Sequence, residues 1–263
     1  MSWLICLKGI VWREMLRFLH QRSRLFGALV RPLMWLVVFA TGFRAALGVA
    51  IAPPYDTYIP YGVYIMPGLV GMVQLFNAMQ SSLSMVYDRE MGSMRALLVS
   101  PLPRWYLIVC KLAAGIVVSI LQSYAFLAVA WTFGDDAPPL GYLTVLPALL
   151  ANGMMLGALG LLLSSLIRQL ENFAGVMNFV VFPLFFLSTA LYPIWKIQEG
   201  SDILANVCQL NPFTYGVELI RFALYGQFDG LSALVVAVAG TVFLVAAVMG
   251  YSPSRGLAKL KAT

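Results

Sequence analysis

Charge is scarce in this chain: Asp, Glu, Lys and Arg make up 11% of its 263 residues, where about a quarter is usual for a soluble domain. Hydrophobic residues make up 61% and the mean hydropathy is +0.85. No soluble fold of this length can hide that much apolar surface, so the chain reads as an integral membrane protein. Histidine is scarcer still. His20 is the only one, which excludes a His-based metal cluster, a His-dependent triad and a zinc-protease helix. Cys6, Cys110 and Cys208 have no CxxC spacing and cannot form the even set of a disulfide framework. They read as small apolar residues. No segment matches GxxxxGK followed by Ser or Thr, so the chain cannot cradle ATP phosphates in that way and must borrow any energy it uses. Alternation of polar and apolar residues is also lacking, which excludes a transmembrane β-barrel.

What is present is a series of apolar runs long enough to cross hydrocarbon. They fall at about 26–50, 61–87, 105–133, 140–167, 172–194 and 231–251 and predict six transmembrane helices. Three regions follow: an amphipathic N-terminal helix over 1–24, a six-span domain over 25–252 and a basic tail over 253–263. The N-terminus is too basic before its first apolar run for a cleaved signal peptide, and the first span is expected to serve as its own insertion signal. In the N-terminal helix Leu4, Leu7, Val11, Met15 and Phe18 share a face opposite Arg13, Arg17, His20 and Arg24. That pattern suits a helix in the headgroup layer, and it also suits a solvated leader.

The net charge of +6 is a matter of topology. Basic residues flank apolar runs and form no continuous patch beside aromatics, so nucleic acid is not expected as a partner. With six spans and the N-terminus inside, twelve Lys and Arg residues fall on the inner side and three, Arg44, Lys196 and Arg221, on the outer. Arg31 and Lys111, near the inner ends of spans, can snorkel inward. Both termini are therefore expected in the cytoplasm.

Three segments stand out. Between spans two and three, Asp88, Arg89, Glu90, Met91, Gly92, Met94, Arg95, Leu98 and Pro101 describe a short helix that Asp88 can cap and Pro101 ends. Met91, Met94 and Leu98 form an adaptable apolar ridge bordered by charge, suited to a partner protein or to packing beneath the bundle. Inside span two, Gln74, Asn77, Ser81 and Ser84 recur at helical spacing, with Gln80 nearby and Met72, Phe76 and Met79 among them. They suit a path for polar cargo, or hydrogen bonds between helices. Gly153, Gly157 and Gly160 suggest close helix packing in span four. Before the last span, Asn211 and Pro212 read as a cap followed by proline at the first helical position, with Gly226 as the stop. Phe213, Val217, Ile220 and Leu224 line one face of that helix, and Glu218 and Arg221 can pair at i, i+3. Such a helix can dip into the outer leaflet or lie on its surface.

With these segments in place, the chain resembles the type-2 permease family of ATP-binding-cassette (ABC) exporters, which includes drug, polysaccharide and nodulation-factor exporters. The stretches that carry the resemblance are Tyr87-Asp88-Arg89-Glu90-Met91-Gly92 with Leu97-Leu98-Val99-Ser100-Pro101-Leu102, Leu187-Ser188-Thr189-Ala190-Leu191-Tyr192-Pro193, and Asn211-Pro212-Phe213-Thr214-Tyr215 with Arg221. The chain departs from it where Cys110-Lys111 replaces a common Gly-Lys and Ser188-Thr189-Ala190 a common Ser-Gly. The resemblance implies that residues 88–100 are a coupling helix seated on a separate ATPase subunit, and that 195–226 form a re-entrant hairpin. It implies two ATPase subunits, which bind ATP and Mg, and a second permease copy, expected as a homodimer in the inner membrane. This chain itself is expected to bind no cofactor or metal and to catalyse nothing. An energy-independent channel or a membrane assembly subunit is the alternative.

Overall fold

The computed structural model describes residues 2–20, 30, 32–38, 54–55, 59–90, 103–133, 137–167 and 169–251. Among them the structure is helical, without β-strands. In chain order the helices are α1 (Ser2–His20), α2 (Tyr61–Glu90), α3 (Arg104–Thr132), α4 (Gly141–Leu166), α5 (Leu170–Phe186), α6 (Ile194–Gly200), α7 (Asp202–Leu210), α8 (Pro212–Leu224) and α9 (Gly230–Gly250). Four of them, α2, α3, α4 and α9, contain stretches long and apolar enough to cross a membrane. They coincide with expected spans two, three, four and six. Most of the expected first span, 26–50, lies outside the described residues, as do residues 91–102 and the tail.

The expected fifth span is shorter than its apolar run suggests. α5 ends at Phe186, and the chain breaks over Leu187 to Pro193 before α6 begins. The cause is local. The Ser188 hydroxyl donates to Phe185 O at 2.6 Å and accepts from Ala190 N at 3.2 Å, and this side-chain turn competes with the helical ladder.

α2 is the central helix. Its apolar window is wholly buried, whereas only 22% of the α9 window is. A helix shielded from lipid by its neighbours can carry polar residues, while one that faces lipid must be apolar all round. α2 packs on α3, α4, α5 and α8, and α4 packs along α9. The glycine face of α4 makes this possible. A Cβ on Gly160 would lie 2.2 Å from Ser82 Oγ and 2.9 Å from Ala78 O, and one on Gly157 would lie 2.4 Å from Leu112 Cδ1. These glycines therefore serve the packing that small residues permit.

α1 lies against α3. Trp3 packs on Tyr106 with ring centroids 4.6 Å apart, and the Tyr106 hydroxyl donates to Trp3 O. The face that the sequence marks as apolar turns largely onto protein, with Phe18 buried and Leu7, Val11 and Met15 half-buried. Ile5, Trp12, Leu16 and Leu19 form the exposed apolar side, and Leu4 falls with them.

Candidate functional site

At the α1 end of the bundle, α2 continues without a break through Glu90. Asp88 is therefore not the cap of a new helix, as its sequence context suggests, but a residue of the last turn of α2. Its carboxylate accepts a hydrogen bond from Lys111 Nζ of α3 at 2.6 Å. Lys111 is itself buried, with its ammonium held by that carboxylate at the end of α2. Two side chains of opposite charge in different helices satisfy each other. Two residues on, Glu90 Oε2 accepts from Leu170 N at 3.3 Å, which ties the end of α2 to the start of α5. Of the ridge, Met91, Gly92, Met94, Arg95, Leu98 and Pro101 lie outside the described residues, and so does the side chain of Arg89.

The polar stripe of α2 divides between two neighbours. Gln74 donates to Leu149 O at 2.9 Å and accepts from Asn152 Nδ2 at 2.8 Å, both on α4. Asn77 donates to Gln122 Oε1 of α3 at 2.6 Å. Met72, Phe76 and Met79 are buried in the main core, and Ser81 and Ser84 are half-buried, with the Ser84 hydroxyl donating to Ser81 O at 2.8 Å. Within one chain the stripe thus joins helices. Its partners Gln122 and Asn152 escaped the sequence reading, although each is a polar residue within a long apolar run and so needed a partner.

At the opposite end of α2, the hairpin of α6, α7 and α8 closes over the break after α5. Asn211 caps α8: its Oδ1 accepts from Phe213 N at 3.0 Å, and Pro212 stands at the first helical position. The same side chain also donates to Leu184 O at 2.8 Å and Leu187 O at 2.6 Å, satisfying carbonyls released where α5 stops. Gly226 ends the helix with a φ of +68°, the left-handed conformation that glycine adopts at no steric cost. Phe213, Val217, Ile220 and Leu224 are buried, and α8 packs against α4, α9 and α2. It is an internal helix of the bundle, not a surface one.

Arg221, 2% exposed, organises this end. It pairs with Glu218, donates through Nη2 to Thr189 O at 2.9 Å, and lies 4.2 Å from the centroid of the Tyr64 ring, a cation–π contact. Tyr64 donates to Thr189 O at 3.2 Å and Tyr61 to Leu191 O at 2.8 Å. Four side chains, Tyr61 and Tyr64 of α2, Arg221 of α8 and its cap Asn211, therefore hold the carbonyls of Leu184, Leu187, Thr189 and Leu191, which is how irregular backbone is tolerated among membrane helices. Burial raises the Tyr55 phenol, though Arg221 opposes the shift, and pushes the Tyr225 phenol up to about 12. Those two phenols thus stay neutral, and Glu218 supplies the balancing charge. The Glu218–Arg221 pair is readable from spacing; the roles of Tyr61, Tyr64 and Thr189 are not, because they lie 32 or more residues away from their partners.

The ABC-2 type transporter family matches residues 6–225 of the chain. A relative from Porphyra purpurea, named as the transport permease ycf38, is 26% identical over 85% of this chain and 75% of its own length. Nodulation protein J of Sinorhizobium fredii is 24% identical over 89% of this chain and 85% of its own length. The permease YbhR of Escherichia coli K12, named for a multidrug ABC transporter, is 29% identical over 64% of this chain but covers 45% of its own length.

Proposed function

The chain belongs to the ABC-2 type transporter family, and from that premise we propose that it is the membrane-spanning subunit of an ABC exporter, driven by ATP hydrolysis in a separate subunit. In this reading two copies of the chain face one another in the inner membrane with both termini in the cytoplasm. Two ATPase subunits, which carry the ATP and Mg, grip residues 88–100. The observation that carries the reading is the anchorage of that segment. Asp88 is locked to α3 by Lys111 and Glu90 is tied to the start of α5, so force applied beyond Glu90 reaches three helices at once.

A partner shifts a two-state element only through its differential affinity for the two states. The grip on residues 88–100 must therefore change with nucleotide, and the movement of α2 would open the interface between copies. The path is proposed to run between the copies, bordered here by Ser81 and Ser84, with Met72, Gln74, Phe76, Asn77 and Met79 packing behind them. The hairpin would cap the outer end, held by Asn211, Pro212, Phe213, Glu218 and Arg221. Amphiphilic cargo is in keeping with a relative named for multidrug transport.

The test is the ATPase activity of the candidate nucleotide-binding subunit reconstituted with this chain in bilayers. Glu90→Ala and Met94→Asp are expected to keep the membrane fold but to lose complex formation or stimulated hydrolysis. If both variants couple as well as the wild type, the partner sits elsewhere or does not exist.

A further inference from the structure

Two small cavities, about 20 and 30 Å³, lie along the seam between α2 and α3. Each has room for one or two waters. They adjoin, since Asn77, Ser81 and Gly115 line both. The first extends to Lys111 and has Ser119 in its wall; the second reaches Glu14 of α1 and has Gln122 in its wall. Ser119 and Gln122 are 3% and 1% exposed, and Ser119 Oγ and Gln122 Nε2 find no hydrogen-bond partner among the described residues. They sit three residues apart, on one face of α3.

Apolar cavities of this size stay dry, but a polar one that borders unmatched donors holds water. We propose that the two cavities form one hydrated seam, in which water entering beside Glu14 satisfies Gln122 Nε2 and Ser119 Oγ and reaches Lys111. The ligand is water itself, and the site lies inside a single chain. Its mechanical consequence is that α2 and α3 have exchangeable hydrogen-bond partners along their contact. They can shift against each other without stranding the Asn77 and Gln122 amides in a dry interior. The inference is independent of any transport role.

Hydroxyl radicals produced from water by a brief X-ray pulse oxidise side chains beside bound water, and three methionines of α2 provide the comparison. Met85 lines the first cavity and is 4% exposed, whereas Met66 and Met79 are 0% exposed and line neither cavity. In the whole chain in lipid nanodiscs, Met85 is expected to be oxidised several-fold faster than Met66 and Met79. Equal rates at all three would overturn the proposal. Ser119→Val, which removes a hydroxyl and fills space, is expected to slow oxidation of Met85 towards the rate of Met79. A folded variant in which Met85 reacts as fast as before would show that the radicals come from bulk solvent, and the seam would be dry. Should that variant fail to fold, Gly115→Ala, whose added methyl enters the wall shared by both cavities, makes the same comparison.

Discussion

Lys111 Nζ lies 2.6 Å from a carboxylate oxygen of Asp88, 23 residues away in the chain, with both side chains largely removed from solvent. Removing one member of such a pair leaves an uncompensated buried charge, which costs about 3–5 kcal/mol. Asp88→Asn and Lys111→Met are each expected to lower the thermal midpoint of the detergent-solubilised protein by several degrees. The double variant is expected to recover most of the loss. Additive losses in the double variant would mean that the two side chains act separately.

The Arg221 guanidinium donates to Glu218 and to Thr189 O and lies over the Tyr64 ring. A lysine retains the charge but cannot reproduce the fork. Arg221→Lys is expected to destabilise the protein nearly as much as Arg221→Gln, with protease cleavage appearing between α5 and α8. Wild-type stability in Arg221→Lys would show that charge alone is sufficient there.

A Cβ at Gly68 would lie 2.2 Å from Ala190 O, which is backbone and cannot swing aside, whereas one at Gly175 meets nothing within 4 Å. Gly68→Ala is therefore expected to push the break after α5 away from α2 and to reduce folded yield on size-exclusion chromatography. Gly175→Ala, a helical position with open space, is expected to be neutral or to stabilise by up to about 1 kcal/mol. Equal behaviour of the two variants would contradict the close approach.

Gln74 exchanges hydrogen bonds with Leu149 O and Asn152. Gln74→Leu alone strands the Asn152 amide, while removal of both polar groups leaves none unmatched. The pair is expected to show a coupling of roughly 0.6–2 kcal/mol in a double-mutant cycle of unfolding in mixed micelles. A coupling near zero would mean that the bond contributes nothing to helix association.

Much of this architecture is legible in the sequence because the bilayer makes local composition decisive. Runs of apolar residues specify α3, α4 and α9 with little help from anything distant, since a helix in hydrocarbon must satisfy its own backbone. Local signals likewise determine the start of α8 at Asn211 and Pro212, its stop at Gly226 and the spacing of Glu218 and Arg221. Each of these acts within four residues of chain.

Tertiary structure decides what distant groups do. Asp88 reads as a helix cap until Lys111 of α3 arrives to claim its carboxylate. The Ser188 turn can end α5 at Phe186, although the apolar run continues, only where Tyr61, Tyr64, Asn211 and Arg221 are in place to donate to the carbonyls that the break releases. The stripe on α2 finds its partners on α3 and α4, and no spacing within one helix reveals which neighbour a polar side chain will meet. Local sequence determines where a helix can form; the partner of a buried polar group is determined only when the helices pack, because its cost depends on what lies across the interface.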